Sequence, residues 1–340
     1  MNSVRHRVLA VDLGRRHGKV GFFGGSGEMI QKKILAGPDF LEQAAALMGS
    51  PPGILMIPGG SYRPPDGLTG PDSFPEVFPV DETVARLARE SEDSWYPRNV
   101  LAQMAWEYSV RTGCKAFAVG TMRGAPLAGE AQFSGLPGYS RRAVYHALEH
   151  RAAIRAAGEI NRSDLRGKNL ILVYSGEETS VACYARGAVV ECTDPLAGEG
   201  PFGFQAAGTL PATALVDAFF ENVLGDKPEE VLSCGSGVLA YAETADEEEL
   251  ERLVENGDEK ALRALCGMAY QISKEIGRAV ATLSGRVDFI ILAGPAFSLN
   301  EVVNFVGSRV GKWAPVLVVG GELVIPVLLR EGLRKVEGES

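Results

Sequence analysis

The residues best suited to chemistry cluster in the string Asp12-Leu13-Gly14-Arg15-Arg16-His17-Gly18-Lys19. Gly14 and Gly18 have no Cβ, so backbone N–H groups there can close on a phosphate oxygen. Asp12 can hold Mg2+ directly or through water, and Lys19 adds positive charge. The combination predicts a loop that cradles the phosphates of a nucleotide. Asp-x-Gly also ends many strands that bind nothing, so a plain turn is the competing reading. Three glycines further along extend the expectation to cofactor binding. Gly176 lies in a second strand-turn-strand, Gly235 in Cys234-Gly235-Ser236-Gly237, and Gly294 in Ile291-Leu292-Ala293-Gly294-Pro295-Ala296-Phe297-Ser298.

These loops need elements to position them. Apolar runs at Arg7–Val11, Lys19–Phe23 and Met29–Leu35, separated by glycine turns, predict three opening strands. A helix is expected at Phe40–Met48, a strand at Gly53–Ile57, and a Gly- and Pro-rich loop from Pro58 to Pro79. Helical periodicity covers Asn99–Thr112, Lys115–Val119 reads as a strand, and a long helix is expected from Ser140, its N-cap, to about Ile160. Leu170–Tyr174, Ser180–Tyr184 and Ala188–Cys192 again read as three strands. Further on, helices are expected at Thr213–Val223, Asp258–Leu283, Asn300–Lys312 and from Glu322, with strands at Val287–Leu292 and Pro315–Val319. The acidic stretch Glu243–Glu255 reads as a solvated helix face.

The opening pattern occurs twice. A shift of 162 positions lays Asp12 on Tyr174, Gly14 on Gly176, Gly18 on Ser180 and Phe22 on Tyr184. A duplicated lobe explains this economically. The predicted fold class is therefore α/β, with two duplicated lobes and a central cleft. The expected division is an N-terminal lobe over 1–160, a C-terminal nucleotide-binding lobe over 161–320, and a helix over 321–340 packing back on the first lobe.

The composition narrows the field. The 340 residues are 46% hydrophobic and 23% charged, ordinary for a globular protein of two lobes. A net charge of −9 removes the driving force for nucleic acid or an anionic membrane surface. No apolar run approaches the roughly 20 residues that span a bilayer, and the opening residues lack a cleavable leader pattern, so a cytoplasmic protein is expected. Cys114, Cys183, Cys192, Cys234 and Cys266 form no CxxC pair and are read as reduced thiols. His146 and His150 stand four apart without the Glu of a zinc protease, so a structural role is read for both.

Longer strings then converge. They are Phe133-Ser134-Gly135-Leu136-Pro137, Arg141-Arg142, His146-Ala147-Leu148, Gly198-Glu199-Gly200-Pro201-Phe202, Gly237-Val238-Leu239-Ala240-Tyr241, and Met268-Ala269-Tyr270-Gln271-Ile272-Ser273-Lys274-Glu275-Ile276-Gly277. Together they resemble the butyrate kinase branch of the acetate kinase family, over nearly the whole chain. That family belongs to the actin, hexokinase and heat-shock ATPase superfamily. The resemblance implies two ribonuclease-H-like lobes of the actin-like ATPase fold and transfer of the ATP γ-phosphoryl group to a short carboxylate. ATP and Mg2+ are the implied cofactors, nucleotide and small carboxylate the partners, and a homodimer the usual state. It also implies catalytic roles for Asp12, Arg63 and Glu322, with Asp12 and Glu322 on the metal. Gly321-Glu322-Leu323-Val324-Ile325 is similar to the family's metal-associated Glu segment, although Glu322 equally suits the N-terminal acid of a helix.

The site departs from the family pattern. Asn-Pro-Gly-Ser-Thr-Ser-Thr-Lys becomes Asp12 to Lys19, keeping the glycine and lysine and losing the hydroxyls. The Arg before a Gly-Gly pair falls at Pro58, with Arg63 nearby as a stand-in. The family's acidic residues ahead of the Ser134-Gly135-Leu136-Pro137 string align near Gly120 and Ala125, its second-lobe His aligns with Tyr174 and its next Arg with Ala206, so those charged or proton-bearing groups are absent here. The second phosphate turn reads Gly176-Glu177-Glu178, which sets carboxylates where phosphate oxygens are expected. Two readings follow. One is an acyl kinase whose Arg15, Arg16, His17 and Arg63 replace the lost charges. The other is a non-catalytic nucleotide- or metabolite-binding protein that kept the fold.

Overall fold

Val8–Leu13 (β1) buries every side chain, as a strand covered on both faces must. It opens the first of two compact units, Met1–Ala125 with Glu322–Ser340; Pro126–Gly321 forms the second. The computed structural model describes residues 8–15, 17–24, 28–62, 76–124, 127 and 129–337.

In the first unit β1 is followed by His17–Phe23 (β2) and Met29–Leu35 (β3), helix Phe40–Met48 (α1), and Ile54–Pro58 (β4). Then come Val77–Pro79 (β5), Glu82–Glu90 (α2), Pro97–Thr112 (α3) and Lys115–Val119 (β6). The sheet order is β3-β2-β1-β4-β6-β5. β1, β2 and β3 pair antiparallel, whereas β1, β4 and β6 run parallel. Alternation along β1 supplies two covered faces. Leu9 and Val11 enter one apolar cluster with Phe40 of α1 and Leu101, Ala102 and Ala105 of α3. Val8 packs instead against Gly332 of the C-terminal helix, Val324–Glu337.

In the second unit Ala147–Asn161 (α4) leads to Leu170–Ser175 (β7), Thr179–Ala185 (β8) and Ala188–Cys192 (β9). Short helices follow at Ala212–Phe220 (α5), Pro228–Cys234 (α6), Gly237–Ala242 (α7) and Glu247–Glu255 (α8). Glu259–Thr282 (α9), Phe289–Ala293 (β10), Asn300–Val310 (α10) and Val316–Val319 (β11) complete the unit, and Val324–Glu337 is α11. The sheet order is β11-β10-β7-β8-β9. An antiparallel triplet carries parallel strands on its first member, as in the first unit, so the repeat seen in sequence is a repeat of topology. Ile171 and Val173 pack on Leu265, Met268 and Ile272 of α9, while α4 lies against β7, β10 and β11.

Differences from expectation have local causes. The long helix begins at Ala147, not near Ser140. Ser140 instead bridges Phe133 as an isolated antiparallel pair, and the Arg141 side chain donates to the Ala131 carbonyl at 3.0 Å, holding this stretch out of helix. β5 and α2 were not expected. Asp81 caps α2 by accepting from the Val84 N–H at 3.0 Å. Among the described residues no helix is long and apolar enough to cross a membrane, and all five cysteines are free.

Candidate functional site

The first unit brings Asp12, Lys19 and Glu322 together. Asp12 and Lys19 face each other across β1 and β2, and the Lys19 ammonium pairs with the Glu322 carboxylate. Burial acts to lower the Lys19 pKa, but Glu322 and then Asp12 outweigh it and leave it above the ordinary lysine value. Glu322 has a second task. Its Oε1 accepts from the N–H groups of Val324 at 2.8 Å and Ile325 at 3.3 Å, tying down the first turn of α11.

A residue that sequence reasoning missed completes the group. Arg98, in the first turn of α3, donates from Nε to Asp12 Oδ1 at 3.0 Å and from Nη2 to Oδ2 at 2.9 Å. Both side chains are buried, and the fork-on-fork geometry makes this the strongest class of ion pair. The residue beside it anchors the first turn of α3. Asn99 Oδ1 accepts from the Ser61 N–H at 2.9 Å, and its Nδ2 donates to Ser61 Oγ at 2.9 Å and the Asp93 carbonyl at 2.7 Å. Local spacing offered no signal for a pair 86 residues apart.

The glycines of this loop serve the hairpin. The Gly14 N–H donates to the His17 carbonyl at 3.0 Å, closing the turn. Gly18 pairs with Leu13, and a Cβ on it would strike the Phe40 ring. Arg15 lies 4.8 Å from the Trp95 ring centroid. Arg16 and Arg63 lie outside the described residues.

The second unit carries a separate polar cluster. Arg141 donates to both oxygens of Glu199, at 2.9 and 3.0 Å, and to Glu191 at 3.0 Å. Those bonds raise its pKa further, Glu199 foremost. Arg142 donates to Asp194 at 2.8 Å. Beside them lies a buried chain of hydroxyls and imidazoles. Ser180 Oγ is 2.8 Å from His146 Nδ1 and 3.0 Å from His150 Nε2, and the Tyr184 hydroxyl is 3.3 Å from His150 Nδ1. Burial, then the adjoining His146, lowers the His150 pKa to about 3. Glu178 is buried with its carboxylate 3.7 Å from His146 Nε2, so of the two turn carboxylates this one turns inward.

Gly176, Gly235 and Gly294 all fall in this unit. The Gly176 N–H donates to the Glu178 carbonyl at 2.9 Å and the Gly235 N–H to the Val231 carbonyl at 3.1 Å. Gly294 follows β10 at φ +98°, and a Cβ there would stand 2.6 Å from the Ser175 carbonyl. Loop residues 203–206 link two of the glycine turns. The Phe204 N–H donates to the Gly176 carbonyl at 2.8 Å, and Ser236 N–H to the Gln205 carbonyl at 2.9 Å.

Mg2+ needs near-octahedral oxygen ligands at about 2.0–2.1 Å. Both Asp12 oxygens already accept from Arg98, and both Glu322 oxygens accept from protein donors. Among the described residues no group of three or more His, Cys, Asp or Glu is placed to hold a metal. The two carboxylates as arranged do not fit a directly bound divalent ion.

The architecture is that of the acetate and propionate kinases. The acetate kinase of Porphyromonas gingivalis superposes with a TM-score of 0.67 at 16% identity, covering 97% of this chain and 99% of that one. A propionate kinase from Francisella tularensis gives 0.68 at 12% identity over 95% and 98%. Residues 140–301 match the model of the acetokinase family. A protein of Coprothermobacter proteolyticus named "Probable butyrate kinase" is 33% identical over 266 residues, covering 78% of this chain and 75% of that protein. The chain belongs to the acetokinase family.

Proposed function

We propose that the chain is a short-chain carboxylate kinase that transfers the γ-phosphoryl group of ATP to a carboxylate. A carboxylate oxygen forms the new bond to the γ-phosphorus, the bond to the β–γ bridging oxygen breaks, and ADP leaves with that electron pair. The observation that carries this reading is the 33% identity, across 78% of the chain, to a protein named "Probable butyrate kinase". Phosphoryl transfer relies on positioning and charge neutralisation more than on covalent catalysis. Arg98 and Lys19 in the first unit are cations of the kind such a reaction uses, held in place by Asp12 and Glu322. Mg2+ enters this reading as the complex with the nucleotide phosphates.

A second reading, nucleotide binding without transfer, is favoured by the capture of Asp12 by Arg98. An acyl-hydroxamate assay with ATP, Mg2+ and a series of short carboxylates, run beside calorimetry for ATP, separates the two. Turnover that Asp12→Ala abolishes supports the kinase; ATP binding without turnover supports the second reading. If ATP at millimolar concentration neither binds nor raises the melting temperature, both fall.

We also infer a homodimer built on α5. None of its nine residues is buried, and Phe220 is 81%, Val223 67%, Phe219 60% and Val216 52% exposed. With a whole aromatic side chain at about 150–250 Å2, this face with Leu210 and Leu215 leaves roughly 500–600 Å2 of apolar surface open. That is the upper end of what monomers show and most of the roughly 800 Å2 per partner of a standard interface.

A further inference from the structure

The two carboxylates that the chain sets around the β1–β2 hairpin are already balanced by two cations of its own. Asp12 meets Arg98 through two parallel hydrogen bonds, and Glu322 meets Lys19 while capping α11. Lys19 senses Glu322, Asp12 and Arg98 together, so the four groups share one electrostatic neighbourhood. A divalent ion is drawn to a site by an excess of negative charge and by carboxylate oxygens open to it. Here each of the two carboxylates is met by a cation of the chain.

We infer that Arg98 and Lys19 stand in for a carboxylate-held divalent cation, and that the first unit has no intrinsic metal site at Asp12 and Glu322. Several features make this a built arrangement. Arg98 is 6% exposed, and Asn99 beside it is locked by three hydrogen bonds to Ser61 and Asp93, which fixes the start of α3. Gly60 leaves room for the Asn99 side chain, since a Cβ there would collide with Asn99 Oδ1. The guanidinium is thus delivered to Asp12 by packing that no ligand supplies. An incoming Mg2+ would have to displace a bidentate arginine from Asp12 and open the first turn of α11 at Glu322. It would also stand beside two fixed positive charges.

The test is electron paramagnetic resonance of Mn2+ with the full chain, free of nucleotide and carboxylate, so its outcome is independent of any turnover. The wild-type chain is expected to leave the free Mn2+ signal undiminished at sub-millimolar metal. Arg98→Met and Lys19→Met, checked for folding by circular dichroism, are each expected to gain affinity by about tenfold or more, equivalent to ~1.4 kcal/mol. Lys19 is half-exposed, so its variant keeps the test alive if Arg98→Met fails to fold. Stoichiometric Mn2+ binding by the wild type that Asp12→Asn or Glu322→Gln abolishes would overturn the inference. Folded variants that bind no better than wild type would overturn it equally, because the cations would then not be what excludes the metal.

Discussion

His150 gives the sharpest solution test of the second unit. Its ring is fully buried, with Nε2 3.0 Å from Ser180 Oγ and Nδ1 3.3 Å from the Tyr184 hydroxyl. Both partners are hydroxyls, which suit a neutral imidazole that donates from one nitrogen and accepts at the other. Burial and then His146 hold the folded pKa at about 3, against an ordinary value of 6.5, with only Glu149 pulling upward. Between those two values the unfolded chain binds a proton that the folded chain refuses, so stability rises with pH there. It is complete above pH 6.5 and lost progressively as pH falls toward 3. A shift of this size removes about 2 kcal/mol between pH 8 and pH 5, with a limiting slope of ~1.4 kcal/mol per pH unit. Glu275 acts oppositely, because burial raises its pKa despite Arg278. A control is therefore needed: His150→Gln keeps hydrogen-bonding capacity and cannot titrate. Urea unfolding of both proteins at half-unit pH steps from 8 to 5 measures the effect. A wild type whose stability is flat over that range, or a His150→Gln protein with the same slope, would refute the assignment of a neutral buried imidazole.

Three other outcomes follow from packing and charge. Gly18→Ala drives a methyl into the Phe40 ring and should lower the urea midpoint by the equivalent of about 1–3 kcal/mol, as overpacking does. Arg141→Met leaves the partly buried Glu199 and Glu191 without their shared cation; a loss of about 2 kcal/mol, in the range for lost hydrogen bonds to charged groups, is expected by denaturation at pH 7. Phe220→Glu should convert a dimer to a monomer in sedimentation, with secondary structure unchanged, because Phe220 is 81% exposed on the described surface; an unchanged sedimentation coefficient argues against α5 as the interface.

Much of the architecture was legible because periodicity reports burial directly. Phe40–Met48, Met29–Leu35, Lys115–Val119 and Ala188–Cys192 match their expected ranges. The ends of long elements were harder, since they depend on distant partners. Nothing in Ser140 to His146 says that Arg141 will reach Glu191 and Glu199, some 50 and 58 residues on, and so keep that stretch from joining α4. Arg98 was hidden for the same reason. The short strand β5 and helix α2 escaped because a Gly- and Pro-rich loop masked their onset, although Asp81 three residues before Val84 is an N-cap spacing.

The duplication explains why the site was partly readable. The second hairpin turn is one residue shorter, with Ser175 opposite Thr179 where Leu13 stands opposite Gly18 across four residues. Topology survives such a change: β1 and β7 each keep one antiparallel and one parallel neighbour, whatever the turn length. In both hairpins the cross-strand pair one step from the turn collects the chemistry. Asp12 opposite Lys19 draws Arg98 from the first turn of α3. Tyr174 opposite Ser180 draws His146 from the N-cap position of α4, with rings 4.8 Å apart and Ser180 Oγ 2.8 Å from Nδ1. A shift of 162 positions placed Asp12 on Tyr174, so the repeat located the strand-end position in each unit. It could not name the basic side chain brought there by a helix, because that partner is fixed by tertiary packing outside the repeated segment.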